Sequence, residues 1–283
     1  MRRRELFPVD RSLQIRMVLA AVATPLLLVG ALAGLVILLP LKILGGVGLA
    51  VAVGTLIAVR ERRAAPRGRA LAASEAPELY AMVERLCVVG DLPRPDIVLE
   101  RETQPNSWIV DAPGRRPRLH VTQGLLNLLE PDELQAVLAH ELSHVANHDA
   151  AVMTVVGLPG VVLLEGSRRA LRGWGPVIAG AAIAGGVGLL SRIPTNALSR
   201  YREFSADAGA CALTGRPAAL ACALLKVSGQ LERVPRADLR AAAGRDAFHL
   251  LAVESAPRRG RLGRLGLVAR LAETHPSLER RVA

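Results

Sequence analysis

Cysteine is scarce in this chain and poorly placed for its usual structural roles. The three thiols, Cys87, Cys211 and Cys222, form neither a CxxC pair nor an even set. That excludes a disulfide framework and leaves small buried hydrophobes in a reducing compartment. Aromatics are also rare, at 2% of residues, although 51% are hydrophobic. There is no internal repeat, and no low-complexity tract beyond short arginine-rich runs. Charge is missing from long blocks: Met17 to Leu39 holds 23 residues without one, and Ile43 to Val59 another 17. Each is close to the roughly 20 residues a helix needs to cross a hydrocarbon core. An apolar composition gathered into blocks reads as a membrane protein carrying a polar portion, and 283 residues are enough for one large or two modest domains.

The formal net charge of +11 would suit nucleic acid if it were spread over one surface. It is not spread that way. Arg2, Arg3, Arg4, Arg11 and Arg16 precede the first apolar block, and Arg60, Arg62, Arg63, Arg67 and Arg69 follow the second. Positive residues at both outer ends of a helical hairpin place both ends in the cytoplasm, with Pro40-Leu41-Lys42 as the turn on the far side. No nucleic-acid partner is therefore expected. A signal peptide would explain Arg2 to Arg4 and the small residues Ala31-Leu32-Ala33, but the apolar run continues past that site.

Beyond a basic linker, Leu79, Met82, Val83, Leu86 and Val89 keep a helical period over Ser74 to Val89, with Ser74 as N-cap and Gly90 as terminator. Asp96 to Glu100, Asn106 to Val110 and Arg118 to Thr122 are short, partly β-branched runs between Pro and Gly, and they predict a small antiparallel sheet. Gln123 to Leu129 predicts a short helical turn. Pro131-Asp132-Glu133 then opens a longer helix with an early proline and acids suited to its positive end. Two further apolar blocks, Ala150 to Leu164 and Gly173 to Ser191, flank Glu165, Arg168, Arg169 and Arg172 and predict a second apolar hairpin. Polar helical sequence returns from about Pro194 to Leu213, and Lys226 to Ala283 is rich in Ala, Leu and Arg.

The longer helix carries His140-Glu141-Leu142-Ser143-His144. Residues i and i+4 share a helix face, so both imidazoles can reach one tetrahedral zinc while Glu141 stands beside its water. A catalytic zinc takes three protein ligands and leaves one position open. His148 is excluded as the third, because eight residues from His140 is about 12 Å along a helix; it reads as a cation near the helix C-terminus. Glu203 and Asp207 are again i and i+4 on a helix. One of these carboxylates can bind metal while the other accepts the outer N–H of a ligating histidine. The competing reading is a solvated face in which Arg200 and Arg202 pair with these acids.

The chain resembles the HtpX-like membrane zinc metallopeptidases, related to the CAAX prenyl-protein endopeptidases. The resemblance rests on the His140 to His144 motif followed by Asn147 and Asp149, and on Arg202-Glu203-Phe204-Ser205-Ala206-Asp207. It also rests on Pro105-Asn106-Ser107-Trp108, Thr122-Gln123-Gly124-Leu125-Leu126 and the closing Thr274-His275-Pro276-Ser277-Leu278-Glu279-Arg280. It implies that His140, His144 and Glu203 bind one Zn2+ per chain, with Glu141 as general base. It implies an orienting role for Asp207, a place for His275 near the site in support of a developing oxyanion, and a substrate-binding edge strand beginning at Asn106. Tyr201 is a weaker oxyanion candidate. Two departures stand out. The glycine that commonly follows the Asn106 run is absent, and Ser143 replaces a more frequent Gly or Ala.

The expected fold is therefore mainly α with a small antiparallel β-sheet, an α+β zincin-like catalytic domain, plus an N-terminal transmembrane helical hairpin and a second apolar hairpin. The expected division is a membrane hairpin and basic linker over 1–70, the first half of the catalytic domain over 71–150, the apolar hairpin over 151–193 and the second catalytic half over 194–283. The expected activity is that of a multi-pass, cell-membrane zinc endopeptidase. Its active site would lie on the cytoplasmic side, acting on polypeptide substrates within membrane-protein quality control or a stress response, with the lipid bilayer as its other partner. The alternatives are a catalytically silent scaffold or chaperone of the same fold and a CAAX-type prenyl-protein protease.

Overall fold

A computed structural model describes residues 41–63, 69–111, 114–171, 176–231, 276 and 278–282, together with scattered positions between 11 and 34. Most of the first apolar block, Met17 to Leu39, and His275 lie outside the described residues. Along the chain run helix α1 (Leu41–Arg63), strand β1 (Arg69–Ala70), helix α2 (Pro77–Gly90) and strands β2 (Asp96–Glu100), β3 (Ser107–Val110) and β4 (Arg118–Thr122). Helices α3 (Gln123–Leu128), α4 (Pro131–Ala146), α5 (Asp149–Ala170), α6 (Pro176–Thr214), α7 (Pro217–Leu231) and α8 (Leu278–Val282) follow. The described parts of Gly68–Ala151 and Ser199–Ala283 form one compact unit, and those of Gln14–Arg67 and Val152–Leu198 form another.

The sheet is mixed, which corrects the antiparallel expectation. Its order is β1-β2-β4-β3, with β2 and β4 parallel and the other two pairings antiparallel. Successive strands do reverse direction, but β4 inserts between β2 and β3, so two reversals bring it back parallel to β2. The cause is visible in burial: four of the five residues of β4 are buried, and such a strand is covered on both faces and paired on both sides. Alternation along a short run fixes which residues face the core but not which strands become neighbours. β1 is a two-residue pairing of Arg69 with Leu99 and Ala70 with Val98, drawn from the basic linker without any apolar signal.

One face of the sheet carries Ile97, Leu119 and Val121 into a core shared with Val83 and Leu86 of α2, Val137 and Leu138 of α4 and Leu224 of α7. The opposite face carries Trp108, stacked on His120 with ring centroids 4.8 Å apart. His120 Nδ1 lies 2.9 Å from Glu100 Oε1, tying the neighbouring strands β2, β4 and β3 together across that face. Helix α2 begins later than expected. Ala76 precedes the helix without a side-chain cap, and Pro77 takes the first turn, where its missing N–H costs nothing. The helix ends with Asp91, not Gly90, in the left-handed region at φ 50°. At the start of α4, the Glu130 amide donates to Glu133 Oε2 at 2.9 Å. Lys226 Nζ donates to the same oxygen at 2.8 Å and holds α7 to that end.

In the other unit, helices approach backbone to backbone as well as through a small apolar cluster that includes Val47, Leu163 and Ala184. A Cβ on Gly166 would lie 1.5 Å from the Ala50 carbonyl oxygen, and one on Gly54 would lie 1.8 Å from that of Val162. Only glycine allows α1 and α5 to approach this closely, the small-residue packing that lipid-facing helices use in place of a hydrophobic drive. α5 and the Val177–Thr214 stretch of α6 are each long and apolar enough to cross a membrane, and only 22% of the most apolar window of each is buried. α5 does not stop at Glu165 but runs on through Arg168 and Arg169. α6 continues through Pro194, joining an apolar segment to the Glu203 and Asp207 segment in one helix. There Thr195 Oγ1 bonds the Ser191 carbonyl at 2.9 Å, a local side-chain bond on the helix backbone.

Candidate metal centre

Helix α4 carries His140 and His144 one turn apart on a single face, so their Nε2 atoms meet at 3.3 Å with the rings nearly perpendicular, at 89°. Glu203 arrives from α6 with Oε2 at 3.7 Å from His140 Nε2 and Oε1 at 3.7 Å from His144 Nε2. His140 and Glu203 are buried, and His144 is half-buried. One ligand atom from each of the three lies within 4.8 Å of the others. Tetrahedral zinc with Zn–N bonds of about 2.0–2.1 Å requires nitrogens about 3.3 Å apart. The histidine pair therefore has the edge length of such a site, and the glutamate oxygens stand a few tenths of an ångström further out.

Each histidine is backed by an aspartate, and each aspartate by an arginine. His140 Nδ1 lies 2.9 Å from Asp207 Oδ1, and His144 Nδ1 lies 2.6 Å from Asp149 Oδ2. Arg281 from α8 donates Nε to Asp207 Oδ2 at 2.9 Å and Nη2 to Oδ1 at 2.7 Å, with its side chain fully buried and Nη1 3.6 Å from Glu203 Oε2. Arg202 Nε stands 2.9 Å from Asp149 Oδ1. The His140–Asp207 and Arg202–Asp149 approaches are at ion-pair distance without the alignment of a good hydrogen bond, so charge more than direction binds them. Burial alone would push the His144 imidazole down, but the bond to Asp149 outweighs it and holds the pKa above the usual histidine value. Burial likewise opposes the charge on Arg281, and Asp207 more than restores it.

The electrostatic balance points the same way. Glu141, Glu203, Asp149 and Asp207 bring four carboxylates to the cluster, against the two guanidiniums of Arg202 and Arg281. A dication between His140, His144 and Glu203 would offset that excess of carboxylates. The residues fit such an ion by donor type, spacing and charge.

Glu141 is buried and accepts a hydrogen bond from Ser107 Oγ at 3.0 Å. Ser107 opens β3, the sheet edge beside α4. Asn106 immediately before it is latched to Thr122: its amide donates to Thr122 Oγ1 at 2.9 Å, and its carbonyl accepts from the Thr122 amide at 3.1 Å. His148 is exposed just beyond α4 with φ 55°, a left-handed turn that folds the chain back so that Asp149 sits under His144. Tyr201 is 42% exposed. Arg202 pairs with Asp149, and Glu203 and Asp207 are buried, unlike the solvated-face reading.

Sequence reasoning missed three partners: Asp149 for His144, Arg281 for Asp207 and Ser107 for Glu141. Asp149 was within reach, since an acid five residues past a ligand-type histidine and just after a helix end can fold back onto it. Arg281 and Ser107 act across 74 and 34 residues and leave no local signal.

Two histidines at helical spacing, a carboxylate beside the first, a second carboxylate from another helix and a sheet edge alongside define the HExxH class of peptidase centre. The chain belongs to peptidase family M48, which it matches over residues 73–283. It is 40% identical to "Protease HtpX homolog 1" of Streptomyces coelicolor over 293 residues, covering 98% of this chain and 92% of that protein. It is also 40% identical to "Protease HtpX homolog 2" of Methanosarcina mazei over 221 residues, covering 74% of this chain and 72% of that protein. Among solved structures it resembles S. mikatae Ste24p with a TM-score of 0.51 and 19% identity, covering 98% of this chain and 66% of that one. At that identity the likeness shows the fold. The resemblance drawn from the motifs is borne out, and the chain is a protease of a family of membrane metallopeptidases.

Proposed function

We propose that this protein is a membrane-integrated zinc endopeptidase in which His140, His144 and Glu203 hold one zinc ion and Glu141 is the general base. The observation that carries the reading is the convergence of those three side chains at zinc-edge spacing, with Glu141 one residue from the first. Bound there, zinc would lower the pKa of its water to about 7 and polarise the scissile carbonyl. Glu141 takes the proton of the attacking water and delivers it to the leaving amine. Asp149 binds the outer Nδ1 of His144 and Asp207 faces that of His140 at ion-pair distance, which leaves each Nε2 for the metal. The outer edge of β3 receives the substrate backbone as an added strand.

The mostly unburied apolar surfaces of α5 and α6 support a bilayer around them. The arginines outside the first apolar pair support a cytoplasmic active site and multi-pass insertion. A centre so placed would act on damaged or misfolded membrane proteins. Protein purified in detergent with chelator and resupplied with zinc should cleave an unstructured polypeptide. Glu141→Gln should keep its zinc and lose cleavage. Cleavage that survives in that variant, with contaminating protease excluded, would sink the assignment. Reporter fusions at Arg169 and at the C-terminus test the topology, and a far-side C-terminus would overturn the cytoplasmic placement.

A further inference from the structure

We propose that Ser107 is a positioning residue that ties the substrate-receiving sheet edge to the base, a role that rests on the reading of Glu141 as that base. Its side chain is 1% exposed, and Oγ donates to Glu141 Oε1 at 3.0 Å. With Oε1 engaged, Oε2 is the oxygen left to take and return a proton. A free glutamate side chain samples several rotamers, and a base that must first find its orientation loses rate at every turnover. The hydroxyl removes that search.

The anchor is itself immobilised from three sides. Ser107 pairs with Val121 of the central strand. Asn106 before it is latched to Thr122 through its amide and its carbonyl. Trp108 after it is stacked on His120 at an interplanar angle of 8°, and His120 is held by Glu100. β3 pairs with β4 on one side, and its other edge has no strand among the described residues. A polypeptide laid along that edge binds the same four-residue strand whose first side chain grips the base. Pairing of substrate and orientation of Glu141 are thereby mechanically one event, and this site gains a preference for substrates able to adopt an extended backbone.

The test uses the full-length, zinc-loaded protein in detergent, with an unstructured polypeptide as substrate and with the variants Ser107→Ala and Ser107→Thr. Removing a hydrogen bond to a charged group that acts in the transition state should lower kcat about tenfold. KM and zinc content should stay within about twofold, and threonine, which keeps the hydroxyl on a strand-compatible side chain, should restore most of the rate. An alanine variant with parental kcat overturns the role, as does a loss of rate matched by a loss of zinc. Threonine that retains zinc but fails to rescue overturns it too. A parent chain without any cleavage would overturn both the endopeptidase reading and this role, whereas an active parent with an equally active alanine variant removes this role alone.

Discussion

Replacing Arg281 by Met should loosen the metal centre more than it unfolds the protein. The Arg281 side chain is buried and makes two short bonds to Asp207, while His140 is the other partner of that carboxylate. Truncating one member of a buried pair leaves the other charge uncompensated and costs about 3–5 kcal/mol. Loss of an outer partner of a metal-binding histidine weakens metal affinity about 10- to 100-fold, or about 1.4–2.8 kcal/mol of that total. The remainder should appear as a fall in the melting temperature of the metal-free protein, at about 2–4 °C per kcal/mol for a chain of this size. Arg281→Lys keeps a charge but not the two-pronged grip, and should fall between. Zinc-buffered titration gives the affinity, and thermal unfolding in detergent with and without chelator gives the rest. If Arg281→Met binds zinc within twofold of the parent and melts within a degree or two of it, the His140–Asp207–Arg281 chain has no organising role.

Three other perturbations probe different parts of the structure. Burial pushes the Cys87 thiol up from 9.0 to about 11, with the Arg94 charge only partly offsetting it. Between those values the unfolded chain loses the proton while the folded one keeps it, so stability should fall as pH rises from about 9 to about 11; denaturant titrations across that window should show a flatter profile for Cys87→Val. Gly166→Ala sets a methyl 1.5 Å from the Ala50 carbonyl, whereas Gly157→Ala meets only the Thr195 methyl at 3.6 Å. The first should lower thermal stability in detergent by at least the ~1–3 kcal/mol of an overpacked core and the second should not, equal effects meaning that α1 and α5 are not in close backbone contact. His148→Gly relieves a left-handed backbone and should stabilise the chain by about 0.5–1 kcal/mol with zinc affinity unchanged, and weaker zinc binding would reopen His148 as a ligand.

The local parts of the centre were legible because they obey helix periodicity. Leu134, Val137, Leu138 and Val145 announce α4, and the face they leave open is the one that carries His140 and His144. Glu203 and Asp207 repeat that spacing on α6. What stayed hidden depends on contacts between distant segments. Nothing in Arg118 to Thr122 says that β4 will part β2 from β3, because the alternation of a five-residue strand is satisfied by either neighbour order. Arg281 looked like one more residue of an arginine-rich ending until α8 placed it beneath Asp207. The helix limits failed for a milder reason. Ser74 is a sound cap by type, but Pro77 presets the first turn three residues later, and α5 runs past its apolar block because Glu165 and Arg168 pair along its surface, with Nη1 and Oε1 2.7 Å apart.

The excess of carboxylates over guanidiniums around His140, His144 and Glu203 also bears on how the centre is held together. α4 and α6 bring carboxylates, whereas α8 brings the cation Arg281, which clamps that short helix to Asp207 and Glu203. α8 is thereby part of the centre, and a nick that frees it would strip Asp207 and Glu203 of the cation they share.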